Sequence, residues 1–326
     1  MRPKKVQIEL FTNFLIATQK QYSCTELENV SPIELSHDAV NRFLNSSNFE
    51  AEMLWDEVSE YISKDDGYLI FDDTLIEKPY AKKIELNKWQ WSGKHHSVRQ
   101  GIGLTNCVWL NEGGLSLPIN YRVYNRSEDG MTKNDHFLEM LDIAGEKGLS
   151  PRYVLIDSWY TSKKNLKAIE AKNWKFIADI KVNRKISEEK GIWISVSELE
   201  LAEKQVKKVW LHEFGPVLIM KSTVKGEKEK YSITNDLSLI DWEDFSNTGK
   251  KRWAVEDMHR GLKQLCGLEK SYMRKARAQK NHIFCSMRAF VLLKIAQTEL
   301  NISIYQQKWG IVRNSVRNFL AIRCFA

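Results

Sequence analysis

Apolar residues across positions 1–66 recur at helical spacing: Ile8, Phe11, Phe14 and Leu15, later Val40, Phe43 and Leu44, then Met53, Val58 and Ile62. A stripe of that period predicts amphipathic helices. Ser36-His37-Asp38, just before Ala39 and Val40, has the composition of a helix start. Two short helices across a tight turn leave a helix-turn-helix DNA reader open, although most such pairs read no DNA.

The period changes at Tyr68. Tyr68-Leu69-Ile70-Phe71 is a short apolar run ending in Asp72-Asp73-Thr74, which predicts a buried strand with polar residues at its end. Gly101–Leu110 and Leu115–Val123 flank Asn111-Glu112-Gly113-Gly114, a hairpin signal. There follow a predicted helix (His136–Lys147), strand (Tyr153–Ile156), helix (Ser162–Asn173) and strand (Lys175–Ile180). Short strand-like pieces then recur at Ile192–Val196, Val209–His212, Val217–Ser222 and Lys230–Thr234, and from Lys251 the chain reads as helical. The order predicts an α/β fold, a mixed sheet with helices on its faces. Five regions follow: an N-terminal helical region (1–66), a first core part (67–183), an all-β insertion (184–245), a last core part with a long helix (246–300) and a helical tail (301–326).

Composition narrows the class. In 326 residues, 43% are hydrophobic and only 16 are Gly and 6 Pro, which excludes a chain dominated by disorder or low complexity. Ile283–Ala296, the most apolar stretch, is broken by Arg288 and Lys294 and is too short to cross a bilayer, so it reads as a buried helix. The basic start, Met1-Arg2-Pro3-Lys4-Lys5, has no cleavage site after it. Five scattered cysteines contain no CxxC pair, which argues against a disulfide framework or a zinc knuckle. These features predict a soluble, cytoplasmic, nucleoid-associated protein with no membrane partner.

Three acids stand at telling places: Asp73 at the end of the first central strand, Asp157 directly after Tyr153–Ile156, and Glu256 early in a helix. A lone Asp after a strand is usually a turn or a helix cap. Neighbouring strands of an open sheet nevertheless collect functional groups beyond their ends. Three hard oxygen donors without Cys suit Mg²⁺, with Mn²⁺ as substitute, and two such ions support phosphodiester cleavage. Taking Glu256 as the origin at about 100° per residue, Arg252, His259, Arg260 and Lys263 fall within roughly 60° of it. Between residues 246 and 282, ten Lys and Arg face three acids, an excess equal to the formal +7 of the whole chain. Positive charge so concentrated is a footprint for a phosphate backbone, and Trp253 beside it is a candidate for base stacking.

YLIFDDTLIEKP (68–79), YVLIDSWYTSKKNL (153–166), YSITNDLS (231–238) and KKRWAVEDMHRGLKQ (250–264) together resemble the DDE transposases of bacterial insertion sequences, of the IS4 or IS701-like kind. The last stretch carries Arg252, Glu256 and Lys263 at the intervals of that group's Tyr-Arg-Glu-Lys signature. The resemblance implies a ribonuclease-H-like core with a β insertion before the last catalytic helix. It implies Asp73, Asp157 and Glu256 as catalytic metal ligands, with Asp73 preferred to Asp72 because the ligand stands immediately before Thr. Arg252 and Lys263 would contact transposon-end DNA, and Trp253, His259 and Arg260 extend that DNA-binding set. Cleavage at terminal inverted repeats and transfer of 3′-OH ends to target DNA would take place in a homodimer. One position departs: Gly249 stands where the signature has Tyr, in an Asp-Phe-Ser-Asn-Thr-Gly run that does not read as helical.

Two other readings stand beside this one. A decayed relic would bind DNA without cutting it. An iron site built from Glu256-x-x-His259 and Glu34-x-x-His37 would need a helix bundle, which the strand-rich middle opposes. His95-His96 reads as a polar loop after Trp89 and Trp91; neighbouring residues on a strand would point oppositely, so the pair is a poor two-ligand site and reads as surface or as part of a DNA groove.

Overall fold

The computed structural model describes residues 4–189, 191–223 and 229–324; the first three residues of the basic start lie outside that range. Four helices come first: α1 (Lys4–Ala17), α2 (Cys24–Val30), α3 (His37–Ser46) and α4 (Met53–Val58). The hydroxyls of Ser23 and Ser36 accept from the backbone N–H groups of Glu26 and Ala39 and so start α2 and α3. Strands β1 (Tyr68–Glu77), β2 (Lys88–Ser92), β3 (Ser97–Leu110) and β4 (Ser116–Tyr124) follow, then α5 (Arg126–Asp129), α6 (Lys133–Glu146), β5 (Tyr153–Ile156), α7 (Lys163–Ala171) and β6 (Phe176–Ile180). Short strands β7 (Lys185–Ser187), β8 (Ile194–Ser195), β9 (Val206–Leu211), β10 (Gly215–Ser222) and β11 (Lys230–Thr234) precede α8 (Trp242–Lys250), α9 (Trp253–Leu265), α10 (Ala276–Leu300) and α11 (Ile304–Cys324).

All these strands join one sheet. β1 pairs antiparallel with β3 and parallel with β5, β5 pairs parallel with β6, and β4 pairs with β3. The order β4-β3-β1-β5-β6, with helices on both faces, is the ribonuclease-H-like arrangement expected from the sequence. The β insertion is not a separate body: β11 pairs antiparallel with β6, and β10, β9, β7 and β8 continue the same sheet.

Alternation along the strands divides the core in two. Ile70, Ile76, Ile102, Leu104 and Val108 pack toward α1, α3, α9 and α10, whereas Leu69, Phe71, Cys107 and Trp109 pack toward α6 and α7. Val255, Met258 and Leu262 are the buried face of α9. Gly261 lets α9 lie close against α10, because a Cβ there would meet the Phe290 ring at 2.7 Å.

Two boundaries differ from the sequence reading. β1 runs on to Glu77, so Asp73 lies inside the strand rather than at its end; Asp72 and Asp73 are held by pairing with Asn106 and Thr105 of β3. The run through Gly249 is helical after all, as the last turn of α8. Asp241 caps that helix at the Asp244 N–H and Phe245 is fully buried beneath it, which together override the weak propensity of Ser, Asn, Thr and Gly.

The YSITNDLS stretch ties the two parallel strands together. Asp236 accepts from Tyr153 Oη and Lys175 Nζ, both at 2.7 Å. The Asn235 side chain accepts from Phe176 N at 2.9 Å and donates to Trp174 O at 3.2 Å. Burial opposes the charge on Asp236, but hydrogen bonds from Lys175, Ser238 and Tyr153 outweigh it and hold the carboxyl well below the usual range. A depressed carboxyl contributes stability above its unfolded pKa of about 4 and loses it as the pH falls toward the folded value. Asp236→Asn should therefore cost about 1–3 kcal/mol near neutral pH, and thermal denaturation should show the gap narrowing on acidification below that range.

Candidate active site

The pairing of β1 with β5 ends at Phe71 and Ile156, while β1 continues along β3. Asp72 and Asp73 on one side and Asp157 on the other thus stand where the two parallel strands part. Alternation sends the two neighbouring aspartates to opposite faces. Asp72, 7% exposed, follows Ile70 onto the α9 face and meets Arg252 Nη1 at 3.3 Å. Asp73 follows Phe71 onto the α6 face and is paired with Lys133. The Asp72 carboxylate also accepts from the Asp73 N–H at 2.8 Å.

Glu256 lies in the first turn of α9, where the helix dipole favours negative charge. The His259 ring one turn on is buried. The Asn106 amide donates to its Nε2 at 2.9 Å, which leaves Nδ1 as the N–H, turned toward Glu256 Oε2 at 3.8 Å. The His259 ring lowers the Glu256 carboxyl against the opposing effect of burial, and Arg252 and Lys263 lower it further.

The aspartates show the reverse. Burial pushes Asp72 well above the usual carboxylate range, the charge on Asp157 adds to it, Arg252 opposes, and Asp73 and Glu256 raise it further. Asp157 is raised by burial, lowered by Arg252 and raised again by Asp73 and by Asp179. Asp72, Asp73, Asp157, Asp179 and Glu256 therefore share one electrostatic neighbourhood. Among the described residues no three His, Cys, Asp or Glu side chains stand close enough to hold an ion between them. Arg252 reaches Asp72 and, at 3.5 Å, Asp179, while Lys133 holds Asp73, so two protein cations supply the counter-charge. The donors are hard oxygens and fit a divalent cation in chemistry; as the side chains stand they are parted by Arg252 and Lys133.

The expected DNA-binding residues separate by exposure. Trp253 is 62% exposed and Arg260 is exposed, paired with Asp257 one turn back. Lys263 is turned inward, donating to Leu75 O at 3.0 Å and pairing with Glu269, and so anchors α9 on β1. His259 is buried and positions Glu256. Lys133, Asn106, Asp179 and Trp159 were not singled out in the sequence. Asp179 had a signal, an acid inside the apolar run Phe176–Ile180. The Trp159 N–H donates to Asp157 Oδ1 at 2.9 Å, and its half-exposed ring has Lys133 and Lys181 ammonium groups within 6.0 Å of its centroid. Lys133 acts only through tertiary folding and leaves no mark in the sequence.

A ribonuclease-H-like sheet whose central strands part between acidic side chains, with a further acid supplied by a helix on one face, defines the class. The chain belongs to the transposase DDE domain family, whose model matches residues 63–292. No curated protein matches it.

The raised Asp72 carboxyl has a measurable consequence. The folded state takes up a proton that the unfolded chain gives up near pH 4, so this group's contribution to stability is whole at low pH and falls as pH rises through the raised value. Asp72→Asn removes that fall. In thermal denaturation the variant should gain on the parent as the pH rises from about 4 to about 8; parallel curves would show that Asp72 carries no such burden.

Proposed function

We propose that this transposase cuts DNA at the terminal inverted repeats of an insertion sequence and transfers the freed 3′-OH ends to target DNA. The observation that carries the proposal is the parting of β1 from β5, which sets Asp72, Asp73 and Asp157 together, with the charge of Glu256 felt at Asp72. The ligand set we assign is Asp72, Asp157 and Glu256. Asp72 takes the place that the resemblance implied for Asp73, because it shares the face of α9 and feels the charges of both Asp157 and Glu256. Bound Mg²⁺, or Mn²⁺ in its place, would supply Lewis acidity to the phosphodiester and a water of lowered pKa.

The chain's own residues prepare the site for that cation. His259 and Asn106 fix the direction of Glu256. Arg252 neutralises the aspartates and, once a cation takes over that charge, becomes free to meet a phosphate. Trp253 and Arg260 face outward for the DNA, and Lys263 holds the helix that carries them on β1. The intervals of Arg252, Glu256 and Lys263 support the IS4 or IS701-like assignment, and the joining of two ends calls for a homodimer. The place of action is the nucleoid in the cytoplasm; no helix among the described residues is long and apolar enough to cross a membrane. The region boundaries read from the sequence belong to the same proposal, with residues 1–66 and 301–326 flanking the catalytic core. No observation favours a relic that binds DNA without cutting it.

With Mg²⁺, purified protein should nick a duplex carrying its element's ends, and Asp157→Asn should abolish nicking while DNA binding persists. Among the tandem aspartates, Asp72→Asn should abolish cutting by a factor of about 10³ or more, and Asp73→Asn should lower it by a smaller factor. Strand-cleavage rates decide it: the opposite ranking returns the ligand role to Asp73, and an Asp157→Asn protein that cuts as well as the parent sinks the site.

A further inference from the structure

The hairpin of β2 and β3 runs past the end of β1 and carries two exposed indoles. Trp89 is 68% exposed, Trp91 54% and Val98 53%. In the ladder Trp91 stands opposite Val98 and Trp89 opposite Gln100. Cross-strand partners share a face, and alternate residues of β3 carry that face onward through Gln100, Ile102 and Leu104 to Asn106. Asn106 is the residue that holds His259 on α9. Both indoles therefore lie on the face of the sheet that bears Asp72 and Glu256, roughly 20–27 Å farther along it at about 3.4 Å per residue. That is about six to eight nucleotides at the roughly 3.4 Å per-strand spacing of duplex DNA.

Positive charge predominates around the hairpin. Lys82, Lys83, Lys88, Lys94 and Arg99 are exposed, and none has an ion-pair partner among the described residues. The acids beside them are engaged: Glu77 pairs with His95 at 2.9 Å, and Glu85 accepts from the Ala276 N–H at 2.7 Å. The second of these bonds, with Glu85 N donating to Arg274 O at 3.0 Å, lays the hairpin's approach against the loop that brings exposed Arg274, Lys275 and Arg277. A second copy of the chain would bring the same positive charge to this surface. A polyanion with aromatic rings fits both its charge and its indoles.

We infer that the β2–β3 hairpin seats unpaired bases of the DNA strand running out of the active site, with Trp89 and Trp91 as the stacking pair. The two residues are separated by about 6.8 Å along the strand, twice the thickness of a stacked ring. Neither indole stacks on another ring among the described residues, which leaves both faces of the pair for bases in this proposal. Stacking of this kind tolerates any base, and the surrounding lysines hold the phosphates. The inference deepens the DNA-cutting reading and rests on it for the identity of the strand.

The test uses the full chain and fluorescence anisotropy with a duplex bearing a single-stranded thymidine tail, the blunt duplex serving as control. The Trp89→Ala/Trp91→Ala protein should bind the tailed duplex about tenfold or more weakly and the blunt duplex within about twofold of the parent. Phe at both positions should restore most of the tail binding. Equal binding of the tailed duplex by parent and double-Ala variant overturns the inference, and so does an equal loss on both duplexes. A variant that sediments as a monomer where the parent is a dimer, with tail binding unchanged, overturns it by making the hairpin an interface between copies. Cleavage is a separate readout: a parent that nicks but ignores the tail defeats the hairpin alone, and one that grips the tail through its indoles but never nicks defeats the cutting mechanism alone.

Discussion

Like charges at the parting of two parallel strands set the conditions for the rest of this fold. Asp72 and Asp157 stand in a buried place where burial first and neighbouring carboxylates second raise the proton affinity of both, and a compact chain tolerates that only with counter-charge close by. Arg252 and Lys133 provide it. Arg252 comes from the junction of α8 and α9, so the position of α9 is bound up with neutralising the strands beneath it. Lys133 stands at the start of α6 on the other face. The sheet is thus clamped at one point from both sides by cations whose partners are the very acids that a phosphodiester-cutting centre needs.

This clamp explains why so much of the surroundings is polar yet inward-facing. Lys263 bonds a backbone carbonyl of β1, Lys78 donates to Glu269 O and Ser271 O at 2.7 and 2.9 Å, and His259 is held by Asn106. Burial lowers the Lys78 ammonium to about 8, so its two carbonyl partners matter to keeping it in place. A helical-wheel reading of α9 sees one charged stripe and assigns it to a ligand. In the folded chain the stripe divides: Arg252, His259 and Lys263 turn toward the sheet, and only Arg260 stays in solvent. Angular position on a helix fixes which residues are neighbours; what that face meets is fixed by the sheet.

Much of the architecture was legible in the residues. β5 begins and ends where its apolar run does, and β6, α7 and the insertion strands fall within a few residues of their patterns, because these elements are buried on a face or two and hydrophobic period reports burial directly. The misreadings share a cause. β1 was cut short at Asp72 since polar side chains usually end a buried strand, and here the ladder to β3 carries it on. β2 was missed because an edge strand with exposed Trp and Lys has no core to advertise. α8 was missed because its cap and one buried Phe outweigh four poor helix formers. Of the proposed site, Asp157 and Glu256 stood out as candidates from their places on elements. The choice between Asp72 and Asp73 was not, since only the alternation of a strand with known neighbours says which of two adjacent carboxylates meets α9.

The N-terminal helices carry the same lesson about faces into a region with no chemistry of its own. Phe11, Phe14 and Leu15 of α1 and Val40, Phe43 and Leu44 of α3 lie in one continuous core with α9 and α10. The Asn281 side chain of α10 seals that joint, donating to Leu44 O and Ser47 O and accepting from Phe49 N. Their apolar sides are spent on packing, so these helices brace α10, which in turn backs α9 through the gap left at Gly261. Any contact they make with DNA must come from their polar sides, on a support rigidly joined to the helix that carries Glu256. A DNA end gripped there would be held in fixed register with the acids, which is the geometrical condition for cutting at one phosphodiester and not its neighbours.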